Sequence, residues 1–233
     1  MKRFQVTGLL LMSIAIAPSA SAFDGSNYLK QGAEVSLSIE NHRQQLLNKK
    51  TSTETTVRVQ RLKLTAYESP YQWLQGGLHI GYLNASHDDA LLATGTLPSG
   101  QFVGIQLRKP QNESRRYDLH WSLAYSYNRL KDGQATTSSS ISWHDTHAEI
   151  GFIIRVSAFR LSLGGYYARL SGTEQSTSTT NSVTTRSSQS FSSLDNSGSY
   201  AAIGYQTSKK GRIELIARSG AQRGAALFFS HQF

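Results

Sequence analysis

The segment Ala225-Ala226-Leu227-Phe228-Phe229-Ser230-His231-Gln232-Phe233 decides how the rest of the chain is read. Ala225, Leu227, Phe229 and Phe233 fall at even spacing, so a strand through them carries one apolar face. The opposite face, Ala226, Phe228, Ser230 and Gln232, is uncharged. Chain ends are usually frayed and polar. An apolar, aromatic end is expected where the last strand hydrogen-bonds back to the first, as in a closed transmembrane barrel.

The same residues resemble the C-terminal signal of Gram-negative outer-membrane β-barrels, in which alternating apolar positions close on a terminal Phe. Leu227, Phe229 and Phe233 match that pattern, and His231 stands where an aromatic or aliphatic residue is commoner. The resemblance implies residence in the bacterial outer membrane and delivery by the barrel assembly machinery.

The other end is consistent with export. Lys2 and Arg3 precede the apolar run Val6 to Ala17, and Pro18-Ser19-Ala20-Ser21-Ala22 follows. A charged start, a short apolar stretch and an A-x-A site predict a signal peptide over 1–22, cleaved after Ala22. Residues 23–233 are then a single transmembrane β-barrel domain. Beyond Ala22 no apolar run approaches the roughly 20 residues a spanning helix needs, so any membrane crossing is made by strands.

Composition agrees. The apolar fraction is 38%, low for a domain with one large core but adequate where only the outward face must be apolar. Eleven Tyr, nine Phe and three Trp can furnish interfacial girdles. There is no Cys, hence no disulfide and no thiolate metal site. The net charge of +9 would suit nucleic acid, but export argues for lipid phosphates instead.

Period-two patterns separated by turn residues predict ten strands. They run from Gln31 to Asn41, Thr56 to Tyr67, Gln72 to Asn84, Gln101 to Lys109 and Tyr117 to Asn128, then from Ile141 to Val156, Phe159 to Leu170, Ser199 to Gln206, Arg212 to Ser219, and to Phe233. In the second, Val57 and Val59 are out of phase with Leu62, Leu64 and Ala66, which face lipid; a β-bulge near Gln60 would reconcile them. Polar loops are expected from Asn41 to about Thr55, from Ala85 to Gly100 and from Lys131 to Ser139. Ser171 to Gly198, where 16 of 28 residues are Ser or Thr, reads as a long extracellular loop with extended strand arms. Long and short connections alternate, which places both termini in the periplasm of an antiparallel up-and-down barrel.

The register sends Glu34, Glu40, His79, Arg108, Asp118, His120, His147, Glu149, Arg155, Arg160, Glu214 and Arg218 into the lumen. Ten strands enclose only a little more space than eight, which side chains can fill. These charges should therefore cross-link and plug it. The expected role is a non-enzymatic surface protein that contacts lipopolysaccharide, other cells or an extracellular ligand, with His42, Arg43, Lys49, Lys50, Arg129, Lys131 and Arg186 giving the loop side a basic character. A narrow channel for small solutes is the alternative.

Asp145 and His147 are weak catalytic candidates, since a carboxylate near an imidazole can orient and polarise it as a general base. An Asp-x-His pair near the outer mouth is also found in omptin proteases, which this stretch resembles. A second acidic pair there would correspond to Asp88 and Asp89, adjacent here rather than alternate. The resemblance implies an omptin-like surface hydrolase as a third reading. His144 and His147 point to opposite faces of a strand, so no metal site is expected, and no cofactor.

Overall fold

The computed structural model describes residues 33–87, 99–111, 115–133, 137–180 and 183–233. The predicted signal peptide and Asp88-Asp89 lie outside them. The described residues are all-β. The strands are β1 (Glu34–Asn48), β2 (Glu54–Tyr71), β3 (Leu74–His87), β4 (Ser99–Arg108), β5 (Tyr117–Gly133), β6 (Thr137–Val156), β7 (Phe159–Thr180), β8 (Val183–Ser193), β9 (Ser197–Gln206), β10 (Gly211–Gly220) and β11 (Gln222–Gln232).

All described pairings are antiparallel, and the sheet closes on itself through β11 and β1, with Leu37 opposite Phe229 and Ile39 opposite Leu227. The Phe233 amide donates to the Ala33 carbonyl at 2.9 Å. The C-terminal segment is thus the closing seam, and no strand edge is left unpaired along it.

Ten strands form this ring at the end near the termini, where β7 pairs with β9 through Phe159 to Tyr167. Further along, the partner changes. From Ser171 onward β7 pairs with β8, and β8 reaches β1 through Leu46↔Ser193, Leu47↔Ser192 and Asn48↔Phe191. Backbone bonds from Leu194 N to Gln45 O and from Lys49 N to Ser190 O, 3.0 and 2.9 Å, complete that join. The ring therefore narrows to eight strands (β1 to β8) above the ends of β9, β10 and β11. The arms of the Ser/Thr-rich segment are strands, and they form this closure.

Polarity inverts at the same level. In the ten-stranded part the exterior is apolar: Leu78, Ile80, Ile105, Leu123, Ile150, Phe152, Leu163, Ile203 and Leu215 are exposed. Tyr71, Trp73, Tyr117, Phe159, Tyr205 and Phe233 edge this belt near the termini, and Tyr82, Tyr127 and Tyr167 edge it at the other side. Exposure of such a belt suits a bilayer and not water. In the eight-stranded part the exterior carries Arg43, Gln45, Arg58, Gln60, Asn84, Arg129, Arg169 and Thr173. Its interior instead packs Leu46, Leu83, Ala85, Phe102, Leu130, Trp143, Leu170 and Phe191, with Val57 and Ile141 against them. The same strands are built as a membrane barrel below and as a water-soluble barrel above.

This inversion corrects the reading of β2. The register with β1 is continuous from Glu54 to Tyr67, with no bulge near Gln60. Val57 and Val59 point inward into the apolar head, and Leu62, Leu64 and Ala66 point outward to lipid. The phase of the chain is regular, and the environment is what changes. The expected loops after β1 and β5 are corrected too, since β1 runs to Asn48 and β5 to Gly133. His42, expected on the loop side, lies buried inside β1 at 6% exposure.

One turn is held from inside. Gly220 adopts a φ of 97°, a conformation open to glycine. Tyr166 reaches it from β7: its hydroxyl accepts from Gln222 N at 2.8 Å and lies within donating distance of Gln222 O and Ser219 O.

Candidate functional site

The lumen is the candidate site, and its two storeys differ in chemistry. The lower one is polar. On the side near the termini, Arg108 crosses from β4 to Glu34 on β1 at 2.6 Å and lies 3.6 Å above the Tyr67 ring. Its Nε donates to Gln75 Oε1 at 2.7 Å. Arg212 stands 3.8 Å from Glu34 and 3.7 Å from Glu214, which also faces Arg160 at 3.6 Å. Gln111 accepts from both Arg160 and Arg212. Lys109 caps the same end, 2.5 Å from Asp118.

Midway along, Glu149 gathers three cations or potential cations: His120 at 3.3 Å, His147 at 3.4 Å and Arg218 at 3.5 Å. Glu40 meets Lys63 at 2.5 Å. Arg61 spans from β2 to Asp145 on β6 at 2.9 Å. Buried charges persist only when paired and hydrogen-bonded, and these groups supply one another. The cavity left among them is about 130 Å³.

The structure places Glu34, Glu40, His79, Arg108, Asp118, His120, His147, Glu149, Arg160, Glu214 and Arg218 on inward faces. Arg155 also faces in, at the terminal end, where its Nη1 donates to the Arg115 carbonyl at 2.8 Å. Arg61, Lys63 and Arg212 belong to the same network but were missed. The outward phase of Leu62 and Leu64 would have found the first two, since their neighbours must then face in.

Asp145 and His147 share the lumen, but the ion pairs divide them. Asp145 is paired with Arg61, while His147 contacts Glu149 and stacks on Tyr166 at 5.4 Å between ring centroids. Both lie within the barrel, because β5 and β6 continue past them into the head. His144 points out and meets the Tyr125 hydroxyl at 2.5 Å. Among the described residues no cluster of three His, Asp or Glu has metal-binding geometry.

The upper storey is the apolar head. Phe102 separates the two, packed against His79 below (6.0 Å between centroids) and lying under the Arg61 guanidinium at 5.5 Å. Above it, Gln44, Trp143 and Glu174 line a cavity of about 50 Å³ whose remaining walls are Leu, Val, Ile, Ala and Phe side chains.

No protein-family model matches the chain, and no curated protein matches it. Solved structures with a similar fold include the outer-membrane protease OmpT of Escherichia coli, at 10% identity and a TM-score of 0.47, covering 87% of this chain and 97% of that one. The translocator domain of the autotransporter NalP of Neisseria meningitidis is similar at 9% identity and 0.45, covering 90% and 91%. Ail, the attachment invasion locus protein of Yersinia pestis, is similar at 12% identity and 0.35, covering 87% and 100%. Likeness at this level assigns no activity. The seam, the apolar belt and the ion-paired lumen make the fold of this chain that of an outer-membrane β-barrel.

Proposed function

We propose that the protein is a non-conducting, non-enzymatic barrel of the bacterial outer membrane that presents a closed head at the cell surface. The observation that carries this reading is the doubly blocked lumen: ion pairs cross it within the belt, and an apolar core fills it beyond. A solute would have to break buried charge pairs and then pass a dry core. The short connections near the termini support their placement in the periplasm, with the eight-stranded head outside. The signal peptide over 1–22 and recognition of Phe233 by the assembly machinery belong to the same reading.

Contact with lipopolysaccharide is supported by a row of three arginines. Arg43 faces Arg58 on β2 and Arg223 on β11 across direct register positions. All three are exposed and have no acidic partner among the described residues. Like charges directly opposed across a strand pair are destabilising, and an anion shared among them removes that cost. The row sits just beyond Ile39, Leu62 and Leu227 of the belt, where phosphates of outer-leaflet lipid would lie.

Planar-bilayer recording of the purified barrel tests the central claim. Absence of conductance steps is the expected outcome; steady ion conductance by the wild-type protein would replace this reading with that of a narrow channel.

A further inference from the structure

The eight-stranded head is closed along only part of its height. β1 ends at Asn48, and its last pairing with β8 is Asn48↔Phe191. From Ser190 to Val183, β8 continues upward on β7 alone. Among the described residues no strand pairs with the other edge of Val183–Gln189. The join below fixes the direction of the free groups. Lys49 N donates to the Ser190 carbonyl at 2.9 Å, so Ser190 turns its backbone polar groups away from β7. In an antiparallel ladder the N–H and C=O of one residue point to the same side, and alternate residues share that side. Ser188, Arg186 and Thr184 therefore offer both groups to the open edge. Edge strands are usually blunted by proline, a bulge or several charges. This one has an unbroken register with β7, no proline and Arg186 as its single charge.

We infer that this edge receives an extended acidic segment of another protein, which adds a strand to the head where β1 stops short. Strand addition draws affinity from main-chain bonds and selectivity from side chains at alternate positions. Charge sets the chemistry of the partner. Lys49 and Lys50 are exposed in the turn at the foot of the edge, and Arg186 is exposed midway along it. None of the three has an acidic partner among the described residues. Glu54, where β2 begins, is exposed on the same hairpin and leaves the cations in excess, while Glu174 of β7 is buried toward the interior. A segment antiparallel to β8 enters above Lys49 and runs beside Gln189 to Val183. Its residues opposite Ser188 and Arg186 share the outer face, the first next to Lys49 and the second across from the guanidinium. Acidic side chains at those two positions pair with the cations, and basic ones are opposed. A second copy of this chain fits less well, because it brings the same three cations to the contact.

The test uses the mature barrel in lipid nanodiscs and an acetylated fluorescent peptide as long as the edge. The peptide has valine at odd positions, glutamate at the second and fourth and threonine at the sixth. Its fluorescence anisotropy should rise to saturation. Methylating the second, fourth and sixth amide nitrogens, which face β8, should abolish saturable binding. Methylating the third and fifth, which face away, should spare it. Arg186→Glu should weaken binding about fivefold or more. Ser188→Pro removes a donor that points to the open edge and none from the β7 ladder. It should prevent binding while heat-modifiable mobility stays that of the parent. Equal affinity of the two methylated peptides overturns strand addition. Equal affinity of a peptide with lysine in place of both glutamates overturns the acidic partner, and absence of saturable binding by the parent pair overturns both. Concentration-dependent dimers of the barrel that vanish in Ser188→Pro would assign the edge to a second copy and overturn the foreign segment. An extracellular source for the partner rests on the placement of the head outside the cell. None of these readouts depends on that placement or on conductance, so failure here and failure of the non-conducting reading are distinguishable.

Discussion

Arg61 on β2 and Asp145 on β6 meet at 2.9 Å although four strand-to-strand steps separate them around the ring. The contact is a strut across the lumen. It also commits the Asp145 carboxylate to a guanidinium, so the carboxylate that meets His147 is that of Glu149.

Removing one end of that strut leaves a buried charge unpaired. Arg61→Met should destabilise the barrel by about 3–5 kcal/mol. The double variant Arg61→Met with Asp145→Leu should recover most of that loss, since matched apolar replacements leave nothing unsatisfied. Urea unfolding in lipid vesicles, analysed as a double-mutant cycle, reads the coupling. Additive effects would mean that the strut contributes nothing.

The arginine row predicts a lipid preference. Arg43→Gln, Arg58→Gln and Arg223→Gln together should relieve like-charge contacts of about 0.2–1 kcal/mol per pair, so the variant is at least as stable in zwitterionic detergent. In vesicles containing diphosphorylated lipid A the order should reverse, with the wild type retaining more lipid. Native mass spectrometry of retained lipid A checks this, and equal retention would dismiss the site.

Glu174 lies in the β7 arm beyond the apolar belt, and burial pushes its carboxyl up to about 7 from 4.5. A folded form that holds its proton more tightly than the unfolded form is favoured at low pH. The contribution is complete below about 4.5 and is lost as pH rises through about 7. Wild type should therefore lose stability relative to Glu174→Gln across that window, and Trp143 emission should titrate with it. A pH-independent difference between the two proteins would contradict the assignment.

Asn48 holds the upper closure. Its amide nitrogen donates to Gln189 Oε1 at 2.5 Å, while its oxygen accepts from Lys50 N at 2.9 Å and Thr51 N at 3.3 Å. Asn48→Ala should loosen β8 from β1 and leave the belt intact. Limited trypsinolysis should then cleave after Arg186 several times faster, with no change in heat-modifiable mobility on gels. Unchanged cleavage would show that the three backbone pairs suffice.

The fold was legible because alternation is local: each outward face from Leu78-Ile80-Tyr82 to Leu227-Phe229 can be read from its own strand. The lumen faces followed by the same rule. The head was not legible for the same reason. Val57 and Val59 look like a slipped register until the exterior is known to turn polar, and that depends on where the membrane ends. β8 hides in Ser and Thr because only Phe191 and Ser193 are buried firmly on its inner side, too few to form a visible stripe. Arg61 and Asp145 are 84 positions apart, and no spacing rule connects them.

The two closures draw on different parts of the chain. Every residue that seals the head against β1 precedes Asp195, whereas the belt is sealed only when Phe233 is in place. Synthesis and export run from the N-terminus, so the head has all its partners in hand some forty residues before the seam does. The order of assembly need not follow the order of strands around the ring. A lid can be finished before the wall beneath it.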